Sequence, residues 1–509
     1  MVRKNRASRD RRALRAGGKM YQPDWDPITY HVQPTTLISE DQLNSIHTAG
    51  LRILAEIGIR VLSDKARKAY AKAGFDVDDE TEMVHFDAQG VEHWVAMAPA
   101  EFSLAARNPE RNLRIGGKHA IFASVGGPAY CMDNEFGRRS GTYAEMCDFM
   151  RLVQSLNIIH QEGGGGFEAL DLPAVSRHLD LFYAQITLTD KNWQPWTMGE
   201  QQSMDALNMA AISLQKPLEA LVDTPVFVCI INTNSPLQLD IPMAEGLMTM
   251  ARYGQAAVVT PFTLSGAMSP ITMAGALAQQ HAEAMAGITL SQIIRPGVPV
   301  IYGGFTSNVD MRTGSPAFGT PEYLQAAQVT GQLARHIDVP FRSSNVTSAN
   351  TNDAQAAYES MMSLWGAISG QAHLVNHAAG WLGGGLTASF EKLIIDAEML
   401  QMISAATKSI IVDEDSLAIE AIRDVGPGGH FFGTAHTMER YQTAFYRPMI
   451  SNWDNYETWL ENGSPNAETS AHETWKKLLQ EYEQPPLDAT IDAELQDYVA
   501  RRKREINNH

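Results

Sequence analysis

This 509-residue chain is short of cysteine and of positive charge, and each shortage excludes something. Its three cysteines, Cys131, Cys147 and Cys229, are odd in number and far apart. They make no disulfide framework, which points to a reducing, cytoplasmic setting, and they lack the tight Cys/His spacing of a thiol-activating zinc site. No metal site is expected. No G-x-S-x-G turn follows an apolar run, so there is no serine nucleophile elbow. Lys191, Lys216 and Lys392 fall outside the runs that read as strands, which counts against a lysine Schiff base. No apolar run reaches the ~18 residues that a membrane-crossing helix needs. Acidic residues outnumber basic ones 58 to 40, for a formal net charge of −18. An acidic body argues against nucleic acid and anionic lipid as partners.

The exception is the start. Residues 1–19 hold eight Lys or Arg against one Asp, a charge of +7 set against −25 for the rest. The composition fits a disordered, solvated tail. Docking on an acidic partner or a neighbouring subunit, and a mitochondrial presequence, are the alternatives.

What is present is a rhythm, clearest from Asp223 to Phe305. Val226–Ile231, Ala257–Phe262 and Val298–Tyr302 are short runs rich in Val, Ile and Phe, without polar alternation. Such runs suit strands buried on both faces, and helical stretches separate them. The same rhythm gives eight strands, near 119–125, 157–161, 193–198, 226–231, 257–262, 298–302, 339–342 and 373–377. Eight strands alternating with helices predict a (β/α)8 TIM barrel over residues 119–390. An open doubly wound sheet is the alternative. Its phosphate turn would have to be Gly163–Gly166, which lacks dinucleotide or P-loop spacing and reads as a plain flexible turn. Residues 20–118 read as a mostly helical N-terminal domain, residues 129–142 as a hairpin insertion, and residues 391–509 as a helical extension. In the last stretch Trp475, Leu478 and Tyr482 share one helix face.

The strand ends collect aromatics and amides. Trp196, Asn232, Phe262, Tyr302, Phe305, Asn345, His377 and Trp381 all lie at or just after a predicted strand, where parallel α/β folds bind ligands. His430 lies in a Gly-rich segment of the extension, GPGGHFFGTAH, which is expected to fold over the strand ends. Rings without a convergent acid and base suit a cationic ligand, because the ring face attracts a quaternary ammonium. No catalytic residue is assigned. For any single ring the competing reading is core packing.

Seven segments together resemble the trimethylamine methyltransferase family: NTNSPLQLD, GAMSPITMAGALAQQHAE, PGVPVIYGGF, FGTPE, NDAQAAYESMMS, HAAGWLGGGL and GPGGHFFGTAHT. The resemblance runs from about residue 35 to about residue 450. It implies a (β/α)8 barrel that moves a methyl group from an amine to the cobalt of a corrinoid carried by a separate protein. The founding branch uses pyrrolysine to activate trimethylamine. This chain has only standard residues, and Asn350 in SANTNDAQ aligns with the pyrrolysine position. The resemblance is therefore to the non-pyrrolysine branch, which includes glycine betaine methyltransferases. A quaternary amine, a cognate corrinoid protein and a second copy in a homo-oligomer are the partners expected. A corrinoid-independent demethylase or lyase, and a non-catalytic betaine-binding protein, remain the alternatives.

Overall fold

Eight short parallel strands organise the chain, and a computed structural model gives their pairing within residues 20–508. The basic tail expected over residues 1–19 lies outside the described residues. The strands are β1 (His119–Phe122), β2 (Gln161–Glu162), β3 (Asn192–Trp193), β4 (Val228–Thr233), β5 (Ala256–Pro261), β6 (Val300–Gly303), β7 (Phe341–Ser344) and β8 (Leu374–Asn376). Six form one continuous parallel run in the order β4-β5-β6-β7-β8-β1. β2 and β3 pair in parallel as a separate piece. Single-residue parallel bridges, Ala123 to Gln161 and Trp193 to Phe227, connect that piece to its neighbours. The architecture is a mixed α/β fold on a curled parallel sheet.

A helix follows each strand: α1 (Tyr143–Ser155), α2 (Arg177–Leu188), α3 (Gly199–Ser213), α4 (Ile241–Arg252), α5 (Met273–Ile294), α6 (Pro321–His336), α7 (Ala354–Ser369) and α8 (Phe390–Ala406). Their starts are written in the sequence. Thr142, Asp240, Thr320, Asp353 and Ser389 each accept a backbone N–H of the first turn. α5 is the central helix, buried along most of its length. Helices Glu40–Arg52, Asp64–Lys72 and Ala88–Val95 cover its outer side, and Tyr70 Oη donates to Ala286 O at 2.9 Å. Residues 20–118, read from the sequence as mostly helical, hold these three helices with strands between them. Asp76–Asp78 pairs antiparallel with Met83–His85, and Glu101–Leu104 with Leu113–Gly116. The first pair is hidden in the sequence because acidic residues surround its few apolar ones, so no period shows.

Strand alternation separates two layers. Phe122, Cys229, Ile231, Val259, Tyr302, Phe341 and Val375 face the helices. Ile121, Val228, Val258, Ile301 and Leu374 form a second cluster on the other face, closed from below by Leu104, Leu113 and Ile115.

The hairpin insertion is present as Tyr130–Asp133 paired antiparallel with Gly137–Ser140. At the C-terminal end, helix Ala467–Glu481 packs on α8 and helix Ala489–Asn507 on α2 and α3. Trp475 and Leu478 are buried, the Trp475 ring lies tilted against Phe390 at 5.1 Å between centroids, and Tyr482 Oη donates to Leu188 O. No helix among the described residues is long and apolar enough to cross a membrane.

Candidate functional site

The inward alternation that is apolar low in the sheet turns polar and aromatic two residues further on. Val228 and Ile230 lead to Asn232, and Val258 leads to Thr260 and Phe262. Ile301 leads past Gly303 to Phe305, and Leu374 leads to Asn376. These residues open a cavity of about 660 Å³ at the C-terminal ends of the strands. Gly303 is inward at a point where a Cβ would lie 2.1 Å from Thr260 Oγ1, so a side chain there would collide with β5.

Trp196, Asn232, Phe262, Phe305, His377 and Trp381 line this one cavity. The rings form a connected cluster: Phe262 to Phe305 at 5.2 Å between centroids, Phe305 to Trp381 at 6.2 Å, and Trp381 to His377 at 4.7 Å. Phe318, not singled out in the sequence, backs the cluster 5.6 Å from Phe305 and 6.0 Å from Trp381. Trp381 is fixed by its indole N–H, which donates to Thr347 O at 3.2 Å. Gly385 leaves room for it, since a Cβ there would sit 2.5 Å from the indole ring.

Three expected residues lie elsewhere. Tyr302 faces the helix layer, because it is one residue out of phase with inward Ile301 and Gly303. Its hydroxyl meets His281 Nδ1 on α5 at 3.1 Å. Asn345 is buried outside the cavity lining and donates to Ala378 O at 2.9 Å. His430 is exposed on the extension, which does not bring it to the cavity of its own chain. Asn350 is also exposed and outside the lining.

The loops at the cavity are tied down. Glu283 on α5 accepts from Thr233 Oγ1 at 2.5 Å, Ser235 Oγ at 2.7 Å and the Leu237 N–H at 2.9 Å, and so holds the turn after β4. The Gly163–Gly166 turn is not a loose one. It is buried, and the Glu162 carboxylate accepts the N–H groups of Gly164 and Gly165. Burial raises the Glu162 carboxyl above the usual range.

Among the described residues the cavity lining holds no matched acid and base. Its one carboxylate, Glu168, is held by Arg177 at 2.7 Å. Burial, with the Arg342 cation nearby, pushes His377 well below the ordinary imidazole range, so it is neutral at pH 7. Its backbone is left-handed, φ 51°, a conformation seen at sites where geometry outweighs local strain. Gln194, Thr260, Arg342 and Asn376 also line the cavity, and sequence reading missed all four. A polar signal was available for Arg342, which is a charged residue in the middle of the run VPFRSS.

The trimethylamine methyltransferase (MTTB) family matches residues 3–507. The chain belongs to this family. Among family relatives, the glycine betaine methyltransferase of Desulfitobacterium hafniense (strain Y51) is 37% identical over 471 residues, spanning 92% of this chain and 98% of the relative. The trimethylamine methyltransferase MttB of Desulfitobacterium hafniense (strain DSM 10664 / DCB-2) is 27% identical, spanning 92% and 94%. The crystal structure of the Methanosarcina barkeri monomethylamine methyltransferase (MtmB) is similar with a TM-score of 0.52 at 10% identity, over 89% of each chain, a likeness of fold alone.

Proposed function

We propose that this protein removes a methyl group from a quaternary amine and passes it to the Co(I) of a corrinoid carried by a separate protein. The observation that carries the reading is the ring cluster of Phe262, Phe305 and Trp381 around a cavity without a free acid–base pair. Ring faces attract a quaternary ammonium, which has no proton to exchange. Family membership and the glycine betaine methyltransferase relative support the same chemistry.

In that reaction the Co(I) electron pair forms the new Co–C bond, and the C–N pair leaves on nitrogen as a neutral tertiary amine. A neutral leaving group needs no general acid, which accords with a neutral His377 and a Glu168 engaged by Arg177. The chain's own residues orient the N–CH3 bond toward the cavity opening and exclude water. We further infer that the eight strands close into a (β/α)8 barrel with the cavity at its mouth. The bridges of Ala123 to Gln161 and Trp193 to Phe227 support this, since they stand at the two joints a closed ring requires.

The test is to mix purified protein, glycine betaine and a Co(I) corrinoid and follow the visible spectrum. Methyl-Co(III) formation that depends on protein and substrate is the expected result. Demethylation without corrinoid would replace this reading with a lyase or demethylase. Binding without turnover would make the protein a binding module.

A further inference from the structure

The aromatic cavity leaves Arg342 unexplained. It is 2% exposed, lies on the inward face of β7 and lines the cavity. Its Nε and Nη1 have no hydrogen-bond partner, and no carboxylate pairs with it among the described residues. Burial lowers it only to about 10, so it is a cation at neutral pH. A buried guanidinium normally has an acidic partner, because an unpaired charge away from water is costly. Two neighbours in the lining are also unfinished: Asn376 Nδ2 and Thr260 Oγ1 lack partners. Gln194 donates to Asn376 Oδ1 at 3.1 Å, which leaves the Asn376 amino group as the end that can still donate.

The position matters as much as the missing partner. The guanidinium carbon is 5.1 Å from the centroid of Phe305, a member of the ring cluster. A fixed positive charge there repels any ligand that is only a cation. A ligand that also brings a carboxylate turns that repulsion into a bidentate, charge-assisted pair. We propose that Arg342, with Asn376 beside it, is a carboxylate subsite, and that the substrates are zwitterionic ammonium carboxylates and not lone cations such as choline. This rests on the quaternary-ammonium reading given above.

Calorimetry with three ligands separates the two ideas. Glycine betaine has both groups, choline has the cation alone, and 3,3-dimethylbutanoate has the carboxylate on an uncharged tert-butyl head. The wild-type protein is expected to bind glycine betaine at least roughly tenfold more tightly than choline, the scale of one charge-assisted contact. Arg342→Met should weaken glycine betaine and 3,3-dimethylbutanoate by roughly 10- to 100-fold and leave choline no weaker. Arg342→Lys, which keeps the charge but not the fork, should fall between. Equal wild-type affinity for choline and glycine betaine overturns the subsite, and this comparison stands even if Arg342→Met fails to fold. Equal weakening of all three ligands by Arg342→Met also overturns it, as does no weakening. Arg342-dependent binding of 3,3-dimethylbutanoate without binding of glycine betaine keeps the subsite and sinks the ammonium reading. Binding of none of the three overturns both.

A second feature stands on different evidence. Between Thr407 and Ala471 no residue is buried, yet the segment has capped helices at Glu414–Leu417, Ala435–Arg440 and Tyr456–Glu461. Ile410, Phe432, Phe445 and Trp453 all point to water, Phe432 at 85% and Phe445 at 82% exposure. Local order without a core of its own needs another surface. The exposed apolar side chains of this arm amount to on the order of 1,500 Å², above the ~800 Å² per partner of a standard interface and in the range of obligate dimers. An occupant that comes and goes would leave that surface in water, whereas a copy of the same chain is always at hand. We infer that residues 408–470 clasp a second copy of this chain.

Sedimentation of the full chain at micromolar concentration is expected to give a dimer or a higher assembly. The double variant Phe432→Glu, Phe445→Glu should be monomeric with unchanged circular dichroism. A monomeric wild type, including one that binds only its corrinoid protein through the arm, overturns the inference. So does an assembly the double variant leaves intact. If that variant is insoluble, amide exchange of the wild type decides: protection of residues 410–460 should fall on dilution, and protection independent of concentration contradicts a second copy.

Discussion

The lower and upper halves of the sheet's inner face are built from the same strands and behave differently. Below, Ile121, Val228, Val258, Ile301 and Leu374 pack a dry cluster with no polar side chain to satisfy. Above, Thr260, Arg342 and Asn376 carry polar atoms without partners, and rings replace aliphatics. The lower half is completed by packing alone, whereas the upper half keeps the unpaired polar atoms on which the proposed subsite rests. What sets these three side chains apart from other unpaired buried groups is that they line one cavity.

That contrast can be broken most violently at Val258. Val258→Asp puts an unpaired carboxylate in the dry half and should cost roughly 4 kcal/mol or more, seen as loss of folded protein in denaturant titrations. Thr260→Val, two residues along the same strand, removes a hydroxyl that has no partner and should change stability by no more than about 1 kcal/mol. Similar losses at both positions would erase the distinction.

Acid should act on folding and not on the cavity. Burial lowers His160 and His281 to about 3 and His373 to about 4. In the unfolded chain each takes up a proton near 6.5, so the unfolded state binds more protons in the window below that. Stability should therefore fall as pH drops from about 6.5 toward 4, by up to about 1.4 kcal/mol per pH unit for each histidine. Ligand affinity should stay flat from pH 8 to 6, because His377 is already neutral there. Denaturation and calorimetric titrations across this range check the two halves of the prediction.

Smaller effects sharpen the assignment of rings. Trp381→Ala should weaken quaternary ammonium binding by about 0.5–2 kcal/mol, the worth of one cation–π contact. Unchanged affinity in a direct titration would remove Trp381 from the site. Tyr302→Phe should cost about 1 kcal/mol of stability through the lost contact with His281 and leave binding untouched. A binding defect there would put Tyr302 back among the ligand contacts.

Much of the scaffold was legible in the sequence. Buried strands such as Ala256–Pro261 and Val300–Gly303 read as apolar runs, and the stretches between them as helices. The site was legible in composition but not in phase. A strand buried on both faces shows no alternation, so nothing in the run PVIYGGF tells that Tyr302 faces the helices while Phe305 faces the cavity. Arg342 gives no signal of phase either, because a lone arginine in a strand of four residues has no periodic pattern to mark it as inward. The Gly-rich composition around His430 does not tell which surface that segment covers. His430 is exposed instead, on the arm that carries Phe432.

The most direct measurement is a crystal structure of the protein with glycine betaine bound. The account predicts the trimethylammonium group against the faces of Phe262, Phe305 and Trp381, one methyl directed to the cavity opening, and the carboxylate on Arg342. A ligand bound away from these rings, or with its ammonium group turned from them, would contradict it.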